Sequence, residues 1–206
     1  MNKLKILNAS KKSKINQKGI RGLNLIELNA KENKYIHNVS FMNKLKYLDA
    51  GKSGINQKGI RELNLIELKA VHNEKIKNVK FMKNLKRLKT NGCDCGIDQK
   101  GIKGLDLIEL NADHNEKITD VTFMKNLKRL SICRECVCGI GQNGIKGLDL
   151  IELIAIDNYE ITDVSFMKNL KRLNASRDCG IGQNGIRELD LIELNASRNE
   201  EITDVC

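Results

Sequence analysis

The sequence predicts an α/β solenoid. It reads as a single domain over residues 1–206, in which about ten short coils stack a curved parallel β-sheet on a concave side and short helical or 3-10 segments on a convex side. Two observations predict this. A twenty-residue pattern begins at Leu25, Leu65, Leu107, Leu150 and Leu191, and a second, related pattern begins at Leu4, Leu45, Leu85, Leu127 and Leu170, so the two alternate along the whole chain. Within the coils apolar residues recur at the first, fourth and sixth places, as at Leu107, Leu110 and Ala112. A period of this length marks an array of small units, each of which buries its apolar face only against its neighbours.

The elements follow in chain order within one coil. From Leu107 to Ala112 the spacing fits a short strand whose alternate side chains point inward, leaving the third and fifth places to solvent. Asn115 stands where the chain must turn, and a buried carboxamide there can bond to backbone groups of the neighbouring coil. The return leg Asp120–Leu127 has Thr119 or Asp120 as a cap and is too short for more than a turn or two of helix. In the second pattern, Ile97, Gly101, Ile102 and Leu105 are spaced as in a short helical or 3-10 segment. Stacked strands lie ~4.8 Å apart, so the coils form a rod in which each touches only the next.

Leu107, Leu110, Ala112, Asn115 and Ile118 resemble a leucine-rich repeat, L-x-x-L-x-L-x-x-N/C-x-L. The tail Ile118-Thr119-Asp120-Val121 through Phe123 to Leu127 is similar to the internalin type, with its short, thin convex side. The alternation with Gly-Ile-x-Gln-x-Gly-Ile also resembles repeat proteins of giant viruses or protists. The chain departs from the family where Ala30, Ala70, Ala112, Ala155 and Ala196 replace the usual leucine. The resemblance implies a concave strand surface that binds a partner protein.

Composition excludes several classes. Charged residues make up 30% with mixed sign, no apolar run approaches the length of a membrane span, and Met1–Leu7 enters a repeat at once without a secretory h-region. The expectation is a cytoplasmic protein with its seven cysteines reduced. The four Asn-x-Ser matches at Asn8, Asn38, Asn174 and Asn195 are then by-products of the repeat. Neither end carries an evident polar cap, so the expectation is either a piece of a longer solenoid or ends that pair with something, end-to-end self-association included.

The third place carries Glu109, Arg129, Glu152, Arg172 and Glu193 in alternating sign. Such a ladder either keeps the sheet soluble, at roughly 0.2–1 kcal/mol per pair, or presents a zwitterionic surface to a partner. At the fifth and seventh places most coils are polar, but the coil at Leu150 has Ile154 and Ile156, and apolar anchors ringed by charge are what interface hot spots look like. The second-pattern coils vary in length only after the strand, which marks the loops bearing Cys93, Cys133 and Cys136 for recognition. Cys95, Cys138 and Cys179 precede Gly-Ile and take the place of the turn asparagine, while the loop thiols sit too far apart in the stack to share a zinc ion. Gly96-Ile97-Asp98-Gln99-Lys100-Gly101 lacks the Lys and Ser/Thr of a phosphate loop, and its glycines read as turn residues.

His37, His72 and His114 lie near no candidate nucleophile, and no catalytic, metal or cofactor motif is present. The expected function is a non-catalytic scaffold binding another protein through its concave face. The alternative is a basic adaptor for nucleic acid or an acidic surface, suggested by the net charge of +10 and a seam of Lys83, Lys86, Arg87, Lys125, Lys128, Arg129, Lys168, Lys171 and Arg172. An aromatic content of 3% argues against stacked bases.

Overall fold

The computed structural model describes residues 3–133 and 139–204. It divides into two units, Met1–Leu105 and Asp106–Cys206. In the first, strands β1 (Ile6–Asn8), β2 (Glu27–Asn29), β3 (Tyr47–Asp49), β4 (Glu67–Lys69) and β5 (Arg87–Lys89) pair in that order, all parallel, with Leu7, Leu28, Leu48, Leu68 and Leu88 in register. In the second, β6 (Glu109–Asn111), β7 (Arg129–Ser131), β8 (Glu152–Ile154), β9 (Arg172–Asn174) and β10 (Glu193–Asn195) do the same through Leu110, Leu130, Leu153, Leu173 and Leu194. Each unit is a parallel β-solenoid of regular coils.

Each strand is three residues long because only the third to fifth places of a coil are extended. The fourth place points into the core and the third and fifth point out. The return legs, including Asp120–Leu127, run as turns without helix. Helical turns occur in second-pattern coils, at Lys58–Ile60, Gln99–Ile102, Gln142–Ile145 and Gln183–Ile186. Leu25, Leu28, Ala30, Ile36, Val39 and Met42 of one coil are all buried, and equivalent residues repeat this in the next. Truncating any one of these leucines to alanine costs about 2–5 kcal/mol in such a core.

At the eighth place the backbone enters the left-handed region in nine described coils, with Lys11, Glu32, Lys52, His72, Gly92, His114, Asp157, Arg177 and Arg198 all at positive φ. This residue ends the strand and starts the turn. For the non-glycine residues the conformation costs roughly 1–2 kcal/mol each.

The turn is held by side-chain amides. In first-pattern coils the buried Asn33, Asn73, Asn158 and Asn199 donate backwards to carbonyls of the preceding coil: Asn73 Nδ2 to Ala50 O at 2.7 Å and Ile55 O at 3.1 Å, and Asn158 Nδ2 to Ile132 O at 3.2 Å and Ile140 O at 3.1 Å. Their oxygens accept from the coil's own N–H groups, as Asn73 does from Lys75 and Ile76. The fully buried alanine at the sixth place, where the leucine-rich pattern has leucine, supplies one of these carbonyls in Ala9, Ala50 and Ala175. In second-pattern coils the same place holds Ser53, whose hydroxyl donates to Ala50 O, or the buried Cys95, whose thiol donates to Ala70 O. Cys179 is buried likewise, and Cys138 lies outside the described residues.

A second set of amides reaches forwards. Gln57 Nε2 donates to Asn78 O at 2.8 Å while its Oε1 accepts from Lys77 N and Asn78 N. Gln17, Gln142 and Gln183 clamp the following coil in the same way. Both sets of amides cross the junction from a second-pattern coil to the first-pattern coil behind it.

The glycines of the Gly-Ile-x-Gln-x-Gly-Ile segment are not turn residues. A Cβ on Gly59, Gly101, Gly144 or Gly185 would collide with the carbonyl oxygen of His37, Lys77, Thr119 or Thr162 of the preceding coil, so the side chain is excluded by close packing of backbones. The turn glycines at positive φ are Gly22, Gly92, Gly104 and Gly147.

Candidate functional site

The outward face of β6–β10 carries the expected charge ladder. The parallel register sets Arg129 between Glu109 and Glu152, and Arg172 between Glu152 and Glu193. Arg172 donates from Nη2 to Glu152 Oε2 at 2.7 Å, while Arg129 lies 3.5 Å from Glu152 and 3.9 Å from Glu109. The hydrogen bond from Arg172 to Glu152 and the Glu152 and Glu193 charges outweigh desolvation and raise the Arg172 guanidinium further. Glu152 thus collects two arginines. In the first unit Arg87 donates from Nε to Glu67 at 2.7 Å and Lys69 lies 3.4 Å from the same carboxyl. Burial works to raise Glu67, but the Arg87 hydrogen bond and the Lys69 and Arg87 charges prevail and hold it below its ordinary value.

Ile154 stands on β8 between Ser131 and Asn174. It is half-buried in a shallow depression of about 130 Å³ shared with Glu152, Arg172, Asn174, Glu193 and Asn195. Sequence-predicted residues are therefore brought together here, with an aliphatic floor and a charged rim. Ile156, also half-buried, offers its backbone to the Cys133 thiol.

Cys133 belongs to a polar knot. Asp113 accepts from Cys133 N and Ser131 Oγ, both at 2.7 Å, and from Asn111 Nδ2 at 2.9 Å. Burial and the neighbouring Asp113 carboxylate push the Cys133 thiol up to about 12, so it is a hydrogen-bonding group and a poor nucleophile. Burial also raises Cys179, to about 11. Cys93 is exposed in the first unit, and Cys136 lies outside the described residues. Among the described residues no group of three or more His, Cys, Asp or Glu is placed to hold a metal ion. No helix among them is long and apolar enough to cross a membrane.

One histidine has a partner that the sequence did not reveal. His72 Nδ1 lies 2.5 Å from Asp94 Oδ1, its ring packed where any Cβ on Gly92 would fall.

The expected basic seam is largely tied up in the second unit. Lys171 pairs with Asp190 at 2.7 Å, Lys168 with Glu188 at 3.4 Å, and Lys128 Nζ donates to Asp149 O at 3.2 Å. In the first unit Arg87 of the seam is likewise paired with Glu67, but the charge balance differs. Residues 1–105 hold 24 Lys and Arg against 8 Asp and Glu, while residues 106–206 hold 12 against 18, formal charges of +16 and −6. The net value of +10 hides this division, which counting by halves exposes. A cleft of about 800 Å³ in the first unit is lined by Gln57, Lys58, Arg61, Glu62, Leu63, Asn64 and Phe81.

No protein-family model matches the chain, and no curated protein matches it.

Proposed function

We propose that the chain is a leucine-rich-repeat type of interaction module, intracellular and without catalytic activity, that binds another protein through the exposed, concave face of its sheet. The recognition patch is Ile154 and Ile156 with Glu109, Arg129, Glu152, Arg172 and Glu193 around them. The observation that carries this reading is Ile154. The fifth strand place is polar in the neighbouring strands, and here an aliphatic side chain floors a depression whose rim is arginine and glutamate. Burying such a residue in an interface excludes water from the surrounding ion pairs, the usual make-up of a hot spot. The arginine–glutamate ladder fixes orientation more than it adds affinity.

The test is affinity capture from the native cell with the wild-type chain and the Ile154→Asp variant side by side, each first checked for an unchanged thermal melt. Loss of one stoichiometric partner in the variant, by about tenfold or more in Kd on re-measurement with that purified partner, is the expected outcome. A partner held equally by both forms removes the sheet face from consideration. Sedimentation of the purified chain separates self-association from binding to a different protein.

A further inference from the structure

We infer that the first unit carries a second, independent binding surface, on its return-leg side, that takes single-stranded nucleic acid: Phe81 and Phe41 stack against bases, and Lys58, Arg61, Lys80 and Lys83 contact phosphates. None of these residues belongs to the sheet-face patch of the second unit, so the two readings stand or fall separately.

The charge division is the first support, because the fold does not require it. The residue ahead of the first-pattern coils at Leu25, Leu65, Leu107 and Leu150 caps a later turn, and it is asparagine in the first unit and aspartate in the second. Asn24 and Asn64 accept from Lys44 N and Asn84 N, as Asp106 and Asp149 accept from Asn126 N and Asn169 N. The return-leg cap shows the same exchange. Asn38 and Asn78 accept from Ser40 N and Lys80 N, where Asp120 and Asp163 accept from Thr122 N and Ser165 N. One geometry is served by either side chain, and the first unit uses the uncharged one at all four places. The residue after the clamping glutamine is Lys18 and Lys58 in the first unit but Asn143 and Asn184 in the second.

Availability is the second. Lys58, Arg61, Lys80 and Lys83 are exposed and, among the described residues, none of them forms an ion pair, whereas Lys168, Lys171, Arg172 and Arg177 of the second unit all do. These four side chains keep their charge for an outside partner, while Lys69 and Arg87 on the sheet face are paired with Glu67. Glu62 is the only carboxylate lining the cleft.

The aromatic rings decide between polyanions. Phe81 borders the cleft and is 36% exposed, and Phe41, at the equivalent place one pair of coils earlier, is 42% exposed with Lys18 and Arg21 at the places of Lys58 and Arg61 and Lys44 one residue beyond the place of Lys83. Phe123 and Phe166 are better covered. An acidic protein surface needs cations alone. A track of cations with planar apolar groups every second coil, ~10 Å apart by the strand spacing, suits a strand of alternating phosphates and bases.

Fluorescence anisotropy of the full chain tests this, with labelled oligothymidylate and oligouridylate of about 12 nucleotides as probes, and with a duplex of equal length and heparin as competitors. Expected are binding at low salt, a log–log salt slope of about −3 from four phosphate contacts, and weak competition by duplex. Arg61→Glu should weaken binding about tenfold, and Phe81→Ala about fivefold or more for the oligonucleotides with heparin affinity unchanged. Phe81→Trp should restore it. Lys146→Glu, at the place of Arg61 in the second unit, should have little effect. Each variant is compared by its thermal melt, and Arg61, being fully surface-placed, keeps the test valid should Phe81→Ala lose stability. Heparin competing as well as oligonucleotide with no effect of Phe81→Ala, or no oligonucleotide binding at about 50 mM salt, overturns the assignment.

Discussion

At the residue scale, one asparagine per first-pattern coil does the work of several backbone bonds. Asn158 satisfies Ile132 O and Ile140 O in a buried place and accepts from Glu160 N at its edge. Asn158→Ala strands these groups and should cost about 2–4 kcal/mol, read as a shift in urea midpoint at constant slope. Glu67 gives a pH-dependent counterpart. Its folded carboxyl titrates below its ordinary 4.5, so the unfolded chain takes up the proton first as pH falls. Its contribution is present above that value and is lost as pH drops through the folded one. The stability gap between wild type and Glu67→Gln should therefore be seen at pH 7 and shrink at about pH 3 in paired urea titrations.

At the scale of the element, the coil is held less by its strand, three residues long, than by what crosses to the next coil. Gln57→Ala removes three bonds to the following turn, at a part-buried site, and should lower stability by about 1–2 kcal/mol and speed hydrogen exchange at Lys77 and Asn78. The same comparison shows what the sequence made legible. Coil starts, the buried first, fourth and sixth places, the turn asparagine and the arginine–glutamate ladder were all readable, because each depends on a local period or on a neighbour one coil away in a known direction. Gln57 and Gly59 were not, since their roles are set by the backbone of another coil, the turn at Lys77–Asn78 and the carbonyl of His37. A repeated glycine looks the same in sequence whether it turns or makes room. The partner of His72 was hidden for a similar reason: Asp94 sits in a loop whose path the period does not fix.

For the whole molecule, charge is the large-scale property that local pattern misses. A unit of +16 repels itself, and salt within the physiological Debye length relieves that repulsion. Raising salt from about 20 mM to 500 mM should increase the melting temperature of the chain, and Lys→Gln changes at Lys80 and Lys83 should reduce that increase. Binding surfaces need no new architecture here, since caps of either charge fit the same turn. The amides that tie coils together also set the grammar of length. Because asparagine reaching back and glutamine reaching forward both span the same junction, the indivisible stanza of this protein is a couplet of about forty residues. Excising residues 45–84 joins Lys44 to Leu85 and keeps the rhyme, whereas cutting a single coil sets two like lines together and leaves the surviving amide of that junction without its partner. Such a chain can be lengthened or shortened by whole couplets and still read correctly.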